Sequence, residues 1–221
     1  MFRPLLDALF PPLCLACGQG KRSRLGLCSG CLEAVQFHGG RGCYRCGRSS
    51  TPHRCVPLEH RYQSVLALAA YKGPWRQAVL AVKAGRDRET ALDMAGELFA
   101  LARSLELALP DAVVPAPGAG RDWRRFDAVE LVAKKIAEFS AANFLQVFKR
   151  LPGRRPQVEM GRDDRLRGLE KFIRYTGGEV LKNKDVWLID DVFTTGGTAA
   201  ACTDKLLAAG VKSVSVLVLG N

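Results

Sequence analysis

No apolar run in the sequence approaches the ~20 residues that a membrane-spanning helix needs. The opening segment, MFRPLLDALFPPLC, is interrupted by Asp7 and by the Pro11-Pro12 pair before a long apolar stretch develops. It therefore predicts a short amphipathic helical turn and not a signal peptide. The apolar fraction of 48% and the charged fraction of 25% are those of an ordinary globular protein. We expect a cytoplasmic protein without an integral membrane segment.

Acidic residues are scarce relative to basic ones, with 22 Asp and Glu against 33 Lys and Arg, which gives a formal net charge of +11. Two segments hold most of the excess. Residues 1–60 contain 8 basic and 3 acidic residues, and residues 149–174 contain 9 and 4. Such a balance indicates a polyanionic partner, either nucleic acid or the diphosphate of a substrate. A solvated basic surface without a partner is the alternative.

Cysteine is almost absent beyond residue 55, since seven of the eight cysteines come earlier in the chain. Six of the seven form three pairs with two residues between them, and Cys55 follows. Such pairs form tight turns that present two thiolates to one tetrahedral ion, so the pattern predicts zinc. Disulfides are disfavoured by the repeated spacing and by a reducing cytoplasm. Cys202 reads as a core residue without a ligand role.

The cysteines divide into one complete and one incomplete zinc site. The first site has four thiolates, from Cys14, Cys17, Cys28 and Cys31. The second has Cys43, Cys46 and Cys55 and needs one more ligand, for which His53 is nearest and His60 and His38 are alternatives. The zinc region is either purely structural or also places neighbouring arginines along a nucleic-acid backbone.

After the cysteine region, strand and helix patterns alternate. The predicted strands are residues 65–71, 111–115, 144–148, 184–189 and 213–219. A first helix is predicted to begin in residues 75–82, and further helices are predicted at 89–108, 126–142 and 197–209. Alternating units of this kind predict an α/β fold with a parallel sheet and helices on both faces. We expect a small zinc-ribbon domain at 1–60 and the α/β domain at 61–221.

The segment 186–198, VWLIDDVFTTGGT, combines a buried strand, two carboxylates and a Thr/Gly loop that opens a helix. The free N–H groups and the dipole at such a helix start attract phosphate. Asp190 and Asp191 can accept hydrogen bonds from vicinal ribose hydroxyls. The segment therefore predicts a site for a ribose 5-phosphate, with a helix-capping acid pair as the alternative. The phosphate-binding residues would be Thr194, Thr195, Gly196, Gly197 and Thr198.

This segment resembles the phosphoribosyl diphosphate (PRPP) motif of type I phosphoribosyltransferases, with Trp187 and Phe193 at positions where smaller aliphatic residues are usual. The resemblance implies a type I phosphoribosyltransferase-like fold and Mg²⁺ bound together with PRPP. Members that act on purines carry an aspartate two residues before the motif glycine. Thr194 occupies that position here, which disfavours a purine acceptor.

A stretch rich in Pro, Gly and Arg, residues 150–171, lacks periodicity. A connection of this length within a compact domain is usually a lid or a binding loop. Its basic side chains could close over a diphosphate or hold single-stranded DNA, and a solvated loop without a role is the alternative. The arginines predicted to contact nucleic acid are Arg150, Arg154, Arg155, Arg162 and Arg165.

The cysteine pairs together with the sugar-phosphate motif resemble the ComF family of competence proteins, which joins a zinc ribbon to a phosphoribosyltransferase domain. Further segments resemble motifs of that family: residues 71–73 with Lys83, residues 114–117, Arg121, residues 124–127, and residues 156–157 with Arg165. The chain departs from the family pattern at Arg125, Asp127, Ala128 and Gly168. These departures affect the middle of the site, whereas residues 190–198 are intact.

The resemblance implies a role in natural transformation, in which the protein handles incoming single-stranded DNA beside a helicase-like partner. In an enzymatic interpretation, Asp190 and Asp191 hold the ribose, and the diphosphate is held by Pro117, Gly118, Arg121 and Lys83. In a binding interpretation, the same site senses PRPP or a nucleotide 5-phosphate, and the basic segments bind DNA. A regulator that kept the fold without turnover is a third interpretation. The sequence indicates no residue for base recognition.

Overall fold

The computed structural model describes residues 12–39, 43, 47, 62–118, 126–151 and 171–221. Within them, a main sheet contains five strands, all paired in parallel. These strands are β1 (Ser64–Ala69), β2 (Ala112–Pro115), β3 (Asn143–Phe144), β6 (Asp185–Val192) and β7 (Ser213–Gly220). Their order across the sheet is β1-β7-β6-β2-β3. The motif strand β6 is therefore central, as its continuous apolar run indicates.

Two short strands, β4 (Phe148–Arg150) and β5 (Ile173–Tyr175), form a separate antiparallel pair. The strand predicted at 144–148 is divided between the two sheets. The Leu145 N–H still donates to the carbonyl of Val113 in the main sheet, whereas the Val147 carbonyl accepts from Thr176 beside the hairpin. A continuous apolar segment does not reveal such a division, because periodicity does not specify pairing partners.

The described residues contain five helices: α1 (Ser29–Glu33), α2 (Gly73–Lys83), α3 (Arg88–Ser104), α4 (Ala128–Ser140) and α5 (Gly197–Ala208). Asp87 and Asp127 cap α3 and α4, accepting backbone N–H groups of the first turns. Gly73 and Pro74 begin α2, since proline is favoured in a first helical turn. No helix among the described residues has the length and apolar character needed to cross a bilayer.

Alternate residues of the strands supply two cores, one on each face of the sheet. Trp187 and Ile189 of β6 pack with α2, α3 and α4. Val186 and Leu188 pack with α5 on the opposite face. The predicted parallel sheet with helices on both faces is confirmed. The acid pair of the motif lies within the carboxyl end of this central strand.

The cysteine-rich segment shares the core of the α2–α4 layer. Leu25 and Leu27 are fully buried there. Arg22 forms an ion pair with Asp87, the cap of α3. Phe37 pairs antiparallel with Ala69 at the edge of β1, so this segment also covers an edge of the main sheet.

Replacement of Gly26 by alanine should loosen this contact. Gly26 has a φ of +73°, and a Cβ there would lie 2.6 Å from Thr90 Oγ1 of α3. We expect the variant to lose about 2 kcal/mol of unfolding free energy through strain and overlap. Gly30 of α1 is the matched control, since a Cβ there meets nothing within 4 Å. Urea unfolding of both variants tests this, and equal stabilities would contradict the described packing.

Candidate functional site

Four thiols of the cysteine-rich segment converge as predicted. The sulfur atoms of Cys14, Cys17, Cys28 and Cys31 all lie within 4.8 Å of one another. The first pair lies in a turn in which the Gly18 N–H donates to the Cys14 carbonyl, at 3.0 Å. The second pair lies at the beginning of α1, where Cys28 is the N-cap residue. Four sulfur ligands at such distances form the donor set of a closed tetrahedral zinc site.

The pKa values of these thiols also indicate a site that binds a cation. Burial raises the pKa of Cys14, but backbone N–H groups of Cys17, Cys28 and Ala16 outweigh it and lower the pKa to about 6. Burial and the neighbouring thiols raise the pKa of Cys31 to about 12. One thiolate thus forms easily and the last does not. A divalent cation at the centre would offset the accumulated charge and hold all four as thiolates.

The second predicted cysteine set is described only in part. The Gly47 N–H donates to the Cys43 carbonyl at 2.7 Å, and Gly47 has a φ of +73°. Gly18 in the first turn has a φ of +70° with the equivalent hydrogen bond. Gly47 and Gly18 therefore share a backbone conformation and a hydrogen bond to the cysteine four residues earlier, which supports a second zinc turn. Of its predicted ligands, Cys46, Cys55 and His53 lie outside the described residues, as does the alternative ligand His60.

His38, the remaining alternative for the second set, lies beside the C-terminal residue Asn221. It is buried, and its Nε2 is 2.9 Å from Asn221 Oδ1. Its backbone N–H donates to the Leu68 carbonyl of β1. This histidine therefore helps to join the cysteine-rich segment to the sheet.

The acid pair lies at the carboxyl end of β6, which continues through both aspartates to Val192. Asp190 Oδ1 accepts the N–H of Asp191, and Asp191 Oδ1 accepts the N–H of Val192, each at 2.8 Å. These bonds fix the orientation of both carboxyl groups. Ala116, which follows β2, donates its N–H to the Ile189 carbonyl, so the loop after β2 reaches the same edge. This edge is where parallel sheets bind ligands.

Lys83 forms an ion pair with Asp191. Its ammonium comes from the last turn of α2, where the helix dipole favours a cation. Family resemblance predicts Lys83 near the ligand, but no local pattern in the sequence links it to Asp191. The two residues are far apart in the chain, and only the packing of α2 on the sheet brings them together.

Burial and the charge of Asp191 raise the pKa of Asp190 to about 8. A protonated Asp190 can act as a hydrogen-bond donor as well as an acceptor. With Lys83 beside Asp191, the ligand-free group of three side chains is close to neutral. These three side chains therefore offer a ligand both hydrogen-bond donors and acceptors, without a large net charge.

The raised pKa predicts that Asp190 makes the fold less stable as the pH rises. Between its ordinary value of 3.8 and about 8, the native carboxyl stays protonated while the unfolded one ionises. The unfolded state then binds fewer protons, so Asp190 lowers the unfolding free energy by up to about 1.4 kcal/mol per pH unit in that window. Asp190→Asn should remove this contribution.

Urea unfolding of the wild type and of Asp190→Asn at pH 5 and pH 7.5 measures the effect. We expect the variant to gain about 2 kcal/mol or more relative to the wild type over this interval. A constant difference between the two proteins would contradict the protonated state of Asp190.

The loop after β6 leads directly into α5. Gly196 is the N-cap of this helix with a φ of +77°, and no side chain caps it. The first turn also contains no acidic residue. The N–H groups at a helix start have no partner within the helix, so those of Gly197, Thr198 and Ala199 are available to an anion. Thr194 is exposed and Thr195 is half-buried, so both hydroxyls lie near the surface.

The loop after β2 is tightly packed at Gly118. A Cβ there would overlap the carboxylate of Asp127, which caps α4 through the N–H groups of Val129 and Glu130. Pro117 and Gly118 are half-buried beside the end of β6. Arg121, predicted to contribute to this loop, lies outside the described residues.

Of the predicted nucleic-acid contacts, Arg150 lies in β4 and is half-buried. The thiol of Cys202 in α5 is completely buried, and its burial raises its pKa. The positive charge of Arg150 partly opposes this increase in the pKa. The prediction that Cys202 is a core residue agrees with this environment. The other predicted contacts lie outside the described residues: Arg154, Arg155, Arg162 and Arg165.

Comparison with known proteins agrees with these features. Residues 5–62 match the double zinc ribbon domain. The DNA utilization protein YhgH of Salmonella typhimurium is 29% identical over 219 residues, which cover 93% of this chain and 95% of that protein. Competence protein F of Haemophilus influenzae is 25% identical over 217 residues, which cover 92% and 94%. These findings support a ComF-family protein. The family resemblance and the presence of a zinc ribbon are thereby confirmed.

Solved structures similar to this chain include phosphoribosyltransferases. A purine phosphoribosyltransferase from Pyrococcus horikoshii is 22% identical with a TM-score of 0.40, covering 58% of this chain and 72% of that one. A glutamine PRPP amidotransferase from B. subtilis is 18% identical with a TM-score of 0.40, covering 58% and 26%.

Proposed function

We propose that this ComF-family protein binds PRPP or a nucleotide 5-phosphate at the end of β6 and handles single-stranded DNA during its uptake. The observation that carries the proposal is the continuity of the site. A fixed acid pair is followed within a few residues by a helix start that has no capping side chain. A sugar with a 5-phosphate offers hydroxyls to the acid pair and an anion to the helix start.

In the proposed complex, the phosphate lies against the free N–H groups at the beginning of α5. The left-handed conformation of Gly196 turns the chain so that these groups face the ligand. The hydroxyls of Thr194, Thr195 and Thr198 add donors at the rim. Because this half of the site uses backbone groups, it needs no cationic side chain to hold the phosphate.

The ribose hydroxyls lie against the acid pair. Asp191 already contacts two donors, the Val192 N–H and Lys83, which orient its carboxyl group. Asp190 and Asp191 can each accept a hydroxyl once the ligand replaces part of these contacts. We expect the Lys83 ammonium to move towards the negative charge of a bound diphosphate.

The carboxylate oxygens are of the donor type that Mg²⁺ prefers, so the site fits this ion when Lys83 is displaced. Bound with PRPP, Mg²⁺ would neutralise the diphosphate and favour its departure from C1. Pro117, Gly118 and Arg121 would hold the diphosphate from the side of β2, and Lys83 from that of α2. An acceptor would attack C1 in a phosphoribosyltransferase, whereas a sensor would bind PRPP without turnover.

The role in DNA uptake rests on the relatives. One is named as a competence protein and others as DNA utilization proteins, and the chain is similar to each over nearly its whole length. The net charge of +11 suits a polyanionic partner. A helicase-like protein would deliver the strand to this one in the proposed role.

Calorimetric titration of the zinc-loaded chain with PRPP and Mg²⁺ tests the ligand. We expect micromolar binding, and weaker binding of ribose 5-phosphate because it lacks the diphosphate. A parallel assay for released diphosphate distinguishes an enzyme from a sensor. If neither PRPP nor ribose 5-phosphate binds, the proposed ligand is wrong, and the chain acts through its zinc ribbon and basic surfaces alone.

A further inference from the structure

A surface cleft of about 530 Å³ lies between the antiparallel β4–β5 pair and the last turn of α5. Its lining residues come from β5, from the residues that flank the β4–β5 pair, and from the end of α5: Leu151, Lys171, Ile173, Arg174, Tyr175, Lys205, Ala208 and Ala209. The proposed sugar-phosphate site is at the other end of α5. Since α5 has 12 residues, about 18 Å of helix separates the two sites.

The cleft carries a concentrated positive charge. Lys171, Arg174 and Lys205 line it, and none of the described lining residues is acidic. None of the three has a carboxylate partner within the described part of the chain. A surface cation without a partner is the usual contact for phosphate in nucleic-acid-binding proteins.

The end of α5 does not oppose an anion in this cleft. The carbonyls of Leu206 and Leu207 accept the N–H groups of Val211 and Gly210, at 3.1 and 2.9 Å. Gly210 has a φ of +85°, which closes the helix end in this way. The partial negative charge of the helix terminus is thus partly satisfied, and Lys205 of the last turn offsets it further.

The remaining lining is apolar and includes an ordered aromatic ring. Ile173 is buried, and Leu151 and Tyr175 are half-buried. The Tyr175 hydroxyl donates to the Gly178 carbonyl at 3.1 Å, and its ring packs edge-on against Phe148 with centroids 5.9 Å apart. A ring held at both ends loses little conformational freedom on binding, and it offers a face or edge to a flat apolar group.

Cations around an apolar concave surface suit one class of polyanion. A lipid bilayer is flat and does not enter a cleft. The bases of a duplex are stacked inside and present only phosphates, so the apolar lining would stay unused. A single strand has exposed bases that pack on aromatic and apolar side chains while its phosphates contact the cations.

From these features, we propose that the cleft between β5 and α5 is a binding site for single-stranded nucleic acid. It contacts phosphates through Lys171, Arg174 and Lys205, and it receives a base beside Tyr175. The proposal rests on the DNA-handling part of the proposed function and gives that activity a location separate from the sugar-phosphate site.

Fluorescence anisotropy with a labelled oligothymidylate tests the cleft, using the zinc-loaded full chain. Arg174→Ala/Lys205→Ala should bind at least about 10-fold more weakly than the wild type. The slope of log K against log salt should decrease in magnitude by about 1.4, since each lost phosphate contact contributes about 0.7 for a single strand. Tyr175→Leu, which keeps an apolar side chain, should lose about 5-fold or more with an unchanged slope.

Lys134→Ala/Lys135→Ala is the matched control, because it removes two positive charges from α4 on the opposite side of the sheet. It should change the affinity less than about 3-fold. If the two double variants lost affinity equally, the cleft would not be the binding site, although the proposal that the protein binds single-stranded DNA would stand. Absence of oligonucleotide binding by the wild type would overturn both. Duplex DNA of the same length and vesicles containing anionic lipid should bind the wild type more weakly than the oligonucleotide, and stronger binding of either contradicts the proposal.

Calorimetric titration of the cleft variant with PRPP separates the two sites. We expect its PRPP affinity to equal that of the wild type, because none of the substituted residues lies at the carboxyl end of β6. A loss of PRPP binding together with oligonucleotide binding would contradict a separate cleft site. The thermal midpoint of each variant verifies that the substitutions leave the fold intact.

Discussion

Asp191→Asn should weaken the binding of PRPP at least about 30-fold, the equivalent of about 2 kcal/mol. The carboxylate is almost completely buried, fixed by the Val192 N–H and paired with Lys83. An amide keeps the shape but offers one acceptor where the carboxylate offers two, and it carries no charge. It would also leave Lys83 without its partner. Calorimetric titration of the zinc-loaded chain measures the change.

Asp185→Asn is the matched control on the same strand. Asp185 lies at the opposite end of β6, where it pairs with Lys212 and accepts a hydrogen bond from Ser213. Its substitution should reduce stability slightly and leave PRPP affinity unchanged. Equal affinities of Asp191→Asn and the wild type would mean that the ligand does not contact the acid pair.

Cys14→Ser should release the zinc of the first site and lower the thermal midpoint by about 10 °C or more. Structural zinc contributes an apparent free energy of about 10–16 kcal/mol in isolated zinc peptides. Part of that loss reaches the whole protein here, because Leu25 and Leu27 of the same segment are buried in the core of the α2–α4 layer. A loss of even 4 kcal/mol corresponds to roughly 8–16 °C for a chain of this size.

Zinc content by mass spectrometry and thermal unfolding by circular dichroism measure the two effects together. Cys202→Ala is the control, since this thiol is buried in α5 and is not among the four clustered sulfur atoms. The control should keep the zinc content of the wild type. If Cys14→Ser also kept it, the four-thiol site would be wrong.

The sequence predicted the features that depend on neighbouring residues. The CxxC spacing predicted the four-thiol cluster, because each pair needs only a tight turn to present both thiols. The apolar run and the glycines of residues 186–198 likewise predicted a central strand, a turn and a helix start. The ends of most elements were predicted to within a few residues from the change in apolar periodicity. In the structure, Asp87 and Asp127 cap the beginnings of α3 and α4.

Contacts between distant segments could not be predicted in this way. The pairing of Lys83 with Asp191 depends on the position of α2 against β6, which a single sequence does not encode as a pattern. The charged cleft similarly arises from β5 and the end of α5, and β5 itself was not predicted. The division of residues 144–148 between two sheets follows from pairing with distant strands, so local periodicity does not reveal it.

The backbone amide resonances of the ¹⁵N-labelled zinc-loaded chain, followed during titration with PRPP and Mg²⁺, test the sugar-phosphate site most directly. If the phosphate lies at the beginning of α5, the largest shifts should occur at the N–H groups of Gly197, Thr198 and Ala199. Those at the opposite end of β6, near Asp185, should hardly change. Saturable PRPP binding with no shift at these three amides would contradict the account.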